Sequence, residues 1–399
     1  MPHDTSSTTQ AYSDEALTPD VVDDEDTSRD NADVQPWDPS KIRITTKHFS
    51  LRDVVDQIRE EEVDLSPDFQ RDYVWKQRQR TRLIESILLG IPLPAFYFNQ
   101  DSRGTYQVVD GVQRLSTISL FMNDGHPLDK IDLEYLHNLH GLTYSQLDPA
   151  ALRRFRSTQI VVHVIEPQTP DEVKYDIFGR VNTLGSPLSA QEIRHAMSKD
   201  RSRGFLKTLS ELPTFDEATG WQYWRQDADV DDGRVRDSGR MTNRELALRF
   251  CAFRDYSDED YRQYSSLDAF LVDYTRRLDG CSETGKAITD RDMSTIKTDF
   301  KRAMENAYKI LEKAAFRRWP LGQNRRGPIN RAVFESQAIA LADYSLDQLL
   351  PNKVNIVTAF RGAFEDQEYA RAVTVGTGAP AAVETRLKRT KEMLAEAIK

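Results

Sequence analysis

The hydrophobic period constrains this chain more than its composition does. Up to about residue 200, runs of period two alternate with runs of period near 3.6, and beyond it only the longer period recurs. In the first part, "AFYFNQ" and "TYQVVD" are short aromatic and β-branched runs separated by "DSRG", which predicts a hairpin turning at Gly104. "TQIVVHVIE" predicts a further strand. Helices are expected from Leu51, Val54, Val55 and Ile58, with Ser50 as N-cap, and from Leu83, Ile84, Ile87 and Leu88, closed by Gly90 and Pro92. Another should follow Thr169, Pro170 and Glu172, and another Ser189 and Glu192, two capping-box patterns. Residues 205–399 hold long helical patterns such as "NRELALRFCAFRDY" and "MSTIKTDFKRAMENAYKILEKAAF", with no strand pair and no fixed repeat. The expected fold class is therefore α+β. Its parts are an acidic tail over 1–40, a mixed domain over 41–200 and an all-helical domain over 201–399.

Charge is as unevenly placed as period. Residues 1–40 carry eleven acidic side chains against the single base Arg29, so the whole net charge of −10 resides there and the remaining residues sum to zero. Such a segment cannot bury enough apolar surface to offset its ordering entropy, and disorder is expected. It reads either as a solubilising leader or as an acidic mimic that covers a basic groove. A neutral body can still present a basic face, because binding follows the local field.

No run of about 18 apolar residues occurs, and no basic start leads into an apolar stretch, so neither a membrane span nor a secretory signal is read. Cys251 and Cys281 lack metal-ligand spacing, and a reducing cytoplasm is the expected location.

The most informative local stretch is "VVDGVQRLSTISLF", residues 108–121, which reads as strand, turn, helix. A helix start leaves about four backbone N–H groups without intrahelical partners and carries partial positive charge, which suits an anion. Gly111 permits close backbone approach, and the planar fork of Arg114 suits phosphate oxygens. Asp110 could bind Mg²⁺ or orient water, and Gln113 could position water or a phosphate oxygen. An ordinary turn, with Gly111 serving geometry and Arg114 in solvent, accounts for these four residues equally well.

Several other stretches bear on the choice. "FQRDYVW", "LIESILLGIPLP", "VVDGVQRLSTI" and "FGRVNTLGSPLSAQEIR" occur in that order over residues 45–200. With these four motifs the chain resembles the N-terminal domain of the GmrSD type of modification-dependent restriction enzyme, a family of ParB/sulfiredoxin-like fold. The helical stretches "GRMTNRELALRF" and "PINRAVFES" look like that family's usual continuation. The resemblance implies that Asp110, Gly111, Gln113 and Arg114 form a nucleotide-binding and hydrolysis motif, with Gln70, Arg71, Arg180 and Asn182 lining the same pocket. It implies a nucleoside triphosphate as substrate or ligand, Mg²⁺ at Asp110, and DNA as a partner. Position 112 is Val where the commonest family form has Gln. It is also not the Cys of sulfiredoxins, so a thiol repair reaction is excluded. Many relatives carry a second nuclease domain of H-N-H type, but the last of the seven histidines here is His195. A His-based nuclease centre is therefore absent from the C-terminal half, and any cut would need a separate nuclease subunit or the first domain itself.

Three functional readings follow. The first is an NTP-binding and NTP-hydrolysing component of a DNA restriction or phage-defence system. The second is a non-hydrolytic, nucleotide-dependent DNA-binding switch controlling a separate effector, and the third is a ParB-like nuclease using the same pocket. Homo-oligomerisation stays open. Weaker signals are "DADVDDGRVRDS", an imperfect calcium-loop pattern that reads as a solvated loop, and His137 with His140, which lack a third ligand. Arg153, Arg154 and Arg156, and later Arg317, Arg318, Arg325 and Arg326, read as solvated faces or as contacts to a nucleic-acid backbone. Trp221, Tyr223 and Trp224 read as packing residues or as a stacking surface for a base.

Overall fold

A computed structural model describes residues 39–65, 75–101, 103–181, 189–226, 233–236, 240–282 and 285–399. The chain divides into two compact units, one running to Leu209 and rejoined by Ser238–Ser294, the other made of Ser210–Asp237 and Thr295–Lys399. The acidic tail up to residue 38 lies outside the described residues.

The first unit is built on a five-stranded sheet. Its elements are β1 (Ile44–Ser50), α1 (Leu51–Arg59), β2 (Val63–Asp64), α2 (Gln77–Leu89), β3 (Phe96–Gln100), β4 (Tyr106–Asp110) and α3 (Val112–Met122). There follow α4 (Pro149–Ser157), β5 (Gln159–Ile165), α5 (Asp171–Val181), α6 (Ala190–Met197) and α7 (Asp200–Ser210). The strand order is β1-β5-β3-β4-β2. The β1/β5 and β3/β4 pairs are antiparallel, and the β3/β5 and β2/β4 pairs are parallel.

Local chemistry sets the element ends. The Ser50 hydroxyl accepts the Asp53 N–H at 3.1 Å and starts α1. Gly90, at φ 80°, closes α2. In the β3–β4 turn the Asp101 carboxylate accepts the N–H groups of Arg103 and Thr105 at 2.8 and 2.9 Å, while Gly104 takes φ 93°. Ser189 and Glu192 exchange side-chain-to-backbone bonds of 3.1 and 2.6 Å, the expected capping box of α6. The Thr169 hydroxyl accepts from the Arg43 N–H and donates to the Arg43 carbonyl, tying the start of β1 to the loop before α5.

Alternation along each strand sends side chains to opposite faces. On one face Phe96, Phe98, Val108, Ile160, Val162 and Val164 meet α1, α2, α3 and α4 in the main core. On the other, Val109 and Ile165 meet Phe178 of α5 and Ile193 and Ala196 of α6 in a smaller cluster. Among the described residues no helix is long and apolar enough to cross a membrane.

The remainder of α6 is unusual in what it buries. Arg194 bonds Gln191 at 2.9 Å and Asp268 at 2.6 Å, and lies 3.7 Å from Glu245, which pairs Arg249 at 2.9 Å. His195 is 2% exposed; its Nδ1 faces an Arg244 guanidinium nitrogen at 3.4 Å and its Nε2 has no partner among the described residues. Burial, with the charges of Arg244 and Arg203, pushes this imidazole down to about 2. It is therefore neutral when folded, while the unfolded chain takes up its proton below about pH 6.5. Its contribution is present above that pH and fades as the pH falls. Urea midpoints are expected to show a loss of about 2 kcal/mol from this residue between pH 7 and pH 5. The loss should be absent from His195→Gln; an identical pH dependence in that variant would contradict the assignment.

The second unit is helical, as the sequence implies, around Phe215, Tyr223, Phe300 and Phe334. Helices Arg331–Leu341 and Pro380–Ala397 bury the Glu335–Arg386 ion pair completely. One feature departs from the sequence reading: Trp224–Gln226 and Arg234–Arg236 form a two-stranded antiparallel ribbon. Three-residue strands are too short to show a period of two. What fixes this one is side-chain chemistry, since Arg236 grips Asp216 with two bonds of 2.6 and 2.7 Å and stacks 4.7 Å from the Trp224 ring.

Candidate functional site

The β3/β4 ladder shifts register between Tyr97 and Phe98, so that Phe98 faces Val108 but Tyr97 faces Asp110. The extra residue is a β-bulge, which locally bends and re-aims a strand. Val109 goes into the α5–α6 cluster, while Asp110 stands at the strand end with its side chain 33% exposed.

The next residue turns the chain. Gly111 adopts φ 104°, and a Cβ placed there would lie 2.2 Å from Cδ1 of Phe96. Both the left-handed backbone and the ring beneath it require glycine. Helix α3 then begins at Val112 with no side-chain cap and no acidic residue in its first turn. Its first N–H groups have no intrahelical acceptor.

Arg114, one helical turn after Asp110, is 13% exposed. Its guanidinium donates to the Asp110 carboxylate at 2.8 Å and to the carbonyls of Pro94 and Ala95 at 2.5 and 3.2 Å, and lies 4.2 Å from the Phe96 ring centre. Its fork is thus turned toward the protein. Burial pushes the Asp110 carboxyl above the ordinary carboxylate range, against the opposing pull of Arg114 and the Gly111 N–H. Burial likewise lowers Arg114, against the pull of Asp110. Each charge is thereby maintained by its partner, and removing one leaves the other costly.

Gln113 projects from the same first turn. Its Oε1 is buried with no hydrogen-bond partner among the described residues, while its carbonyl accepts the Thr117 hydroxyl at 2.7 Å. A buried, orphaned amide oxygen is uncommon and calls for a partner or a function.

Asp110, Gly111, Gln113 and Arg114 are therefore brought together in one turn. Arg180 stands near the end of α5 with its side chain 77% exposed and its Nε bonded to Asp176 at 3.0 Å. Gln70, Arg71 and Asn182 lie outside the described residues, as does most of the calcium-loop pattern. His137 and His140 are exposed, and among the described residues no group of three or more His, Cys, Asp or Glu gathers to hold a metal. Asp110 supplies one carboxylate at this turn. That suits Mg²⁺ delivered with phosphates, since this ion keeps waters and takes only one or two protein carboxylates.

The arginine-rich stretches fare unequally. Arg154 donates to the Leu88 carbonyl at 3.3 Å and Arg156 to the Tyr144 hydroxyl at 2.6 Å, each while solvent-exposed. Arg317 is buried, donating to the carbonyls of Gly327 and Thr219 and to the Gln222 amide oxygen, so it holds its own unit together. Tyr223 is buried against Phe215, and Trp221 remains half-exposed.

Sequence reasoning did not anticipate Tyr97, the register partner of Asp110, or His163 beside it in β5. The alternation in "FYFNQ" already sets Tyr97 opposite to Phe96 and Phe98, which was the available signal.

Residues 51–198 match the family model described as GmrSD restriction endonuclease, N-terminal domain. The match takes in α1 through α6 and the whole Asp110–Arg114 turn, and starts just after β1. No curated protein matches the chain.

Proposed function

We propose, from the premise that residues 51–198 form a GmrSD-type N-terminal domain, that this chain is the nucleoside-triphosphate-binding and hydrolysing component of a DNA restriction system. The observation that carries this reading is the uncapped start of α3, with the Asp110 carboxylate just before it and the orphaned Gln113 oxygen in its first turn.

Phosphate oxygens would accept from the N–H groups of the first turn of α3, which have no intrahelical acceptor and where the helix dipole favours negative charge. Asp110 would be the residue to hold Mg²⁺ arriving with those phosphates, and the chemistry that ion would supply is neutralisation of phosphoryl charge. Gln113, whose amide oxygen is buried, would have to turn outward to orient an attacking water. Arg114 acts through Asp110: its three bonds fix the carboxylate and anchor the chain at Pro94 and Ala95. Water would attack the terminal phosphorus, lose a proton and break the bond to the bridging oxygen, so that nucleoside diphosphate and inorganic phosphate leave.

The engagement of Arg114 with the protein favours one alternative, a nucleotide-dependent DNA-binding switch without turnover, because a guanidinium already bonded to three acceptors is poorly placed to stabilise a transition state. Phosphate release and nucleotide binding should be measured for ATP, GTP, CTP and UTP with Mg²⁺, with and without DNA carrying different base modifications. Turnover of at least one nucleotide, raised by DNA, is the expected result. Binding without turnover would select the switch, and absence of binding by all four would overturn both readings.

A further inference from the structure

The bulge that re-aims Asp110 also makes it the last member of a row that crosses the sheet. Thr46 of β1 is in register with His163 of β5, His163 with Tyr97 of β3, and Tyr97 with Asp110 of β4. These strands are consecutive neighbours, and registered residues share a face. The row is on the face opposite the main core. At the Asp110 end its partly buried member Tyr97 packs against the cluster of Val109, Ile165 and Phe178, whereas at the Thr46 end the row reaches an exposed edge strand.

Its side chains are organised. The Thr46 hydroxyl and His163 Nδ1 are 3.0 Å apart, which fixes the imidazole plane, and the His163 and Tyr97 rings lie 5.0 Å apart at an angle of 47°. One step along the same face, Asn99 is paired with Gln107, and the Asn99 amide oxygen is buried with no partner among the described residues. An adjacent aromatic pair and an unfilled amide suit a flat heterocycle with polar edges. With strands about 4.8 Å apart, His163 sits roughly 10 Å from Asp110, a span comparable with that from the terminal phosphate of a nucleotide to its base.

We propose that this row is the nucleoside subsite: a base packs against Tyr97 and His163, Asn99 reads its edge or its sugar, and the phosphates run to the Asp110–Arg114 turn. The proposal rests on the nucleotide reading of that turn. It assigns base preference to β1, β3 and β5, of which β1 precedes the family match.

The test is calorimetric binding of the preferred NTP and of inorganic tripolyphosphate, a base-free probe, to wild-type protein, His163→Ala and Asn99→Ala, each checked for an unchanged melting temperature. His163→Ala should weaken the NTP at least tenfold and flatten discrimination among bases, with tripolyphosphate affinity unchanged. Asn99→Ala should flatten discrimination even if His163→Ala fails to fold. Unchanged NTP affinity and discrimination in the variants, or equal weakening of both ligands, would overturn the subsite while leaving the phosphate site standing. Failure of wild-type protein to bind either ligand would overturn the nucleotide reading and the subsite with it.

Discussion

Asp110→Ala is expected to lower nucleoside-triphosphate turnover by at least about 100-fold, the scale on which a properly placed charged or proton-accepting group contributes. The carboxylate is a third exposed at a strand end, so its removal takes away the group proposed to face the metal without opening the core. Asp110→Asn is the sharper variant, because an amide oxygen can still accept from Arg114 and the Gly111 N–H while the charge is gone. Arg114→Ala should also abolish turnover, but with a structural component: it deletes the bonds to Pro94, Ala95 and Asp110 and leaves the carboxylate unpaired. Phosphate-release rates at saturating nucleotide, paired with thermal melts, separate the two effects. A folded Asp110→Asn protein with wild-type turnover would remove Asp110 from the chemistry.

Gly111→Ala is the substitution with the largest expected effect on stability. A side chain in the left-handed region costs about 1–2 kcal/mol. The new methyl would also meet the Phe96 ring 2.2 Å away, and overpacking of this kind costs about 1–3 kcal/mol more. A total loss of about 2–5 kcal/mol is expected in urea unfolding. In a Phe96→Leu background the steric part should shrink while the backbone part persists, so the two substitutions should be less than additive in their cost. A loss below about 1 kcal/mol would mean that the turn relaxes and that glycine here is not required by geometry.

The strand, turn and helix around Asp110 follow from local rules: alternation in "TYQVVD", a glycine, then helical spacing. The Ser50 cap, the Gly90 stop and the Ser189–Glu192 box are local in the same sense. The partners of Arg114 are not, because the carbonyls of Pro94 and Ala95 are about twenty residues away and carry no side-chain signal. The bulge is equally silent in sequence, since it belongs to the pairing of two strands and not to either one. The row from Thr46 to Asp110 needs the full strand order β1-β5-β3-β4, which only tertiary structure defines.

Burial of polar side chains was the other hidden quantity. "AQEIRHA" reads as an amphipathic helix with a wet face, yet Gln191, Glu192, Arg194 and His195 are all buried. Their partners, among them Arg244, Glu245 and Asp268, come from sequence positions roughly fifty to seventy residues later, and a buried polar network of this kind looks from sequence like solvent-facing charge. Arg317 is the same case in the second unit: an arginine that resembles a surface contact but whose donors are taken by backbone carbonyls and an amide.

The central claim is that phosphate sits on the first turn of α3. Amide hydrogen exchange at Val112, Gln113 and Arg114 addresses it directly, because these N–H groups have no intrahelical acceptor and should exchange rapidly in the free protein. With a non-hydrolysable nucleoside triphosphate and Mg²⁺, all three are expected to slow markedly, and the slowing should be lost in Asp110→Ala. Nucleotide binding that leaves these three amides as exchangeable as before would place the phosphates elsewhere and contradict the account.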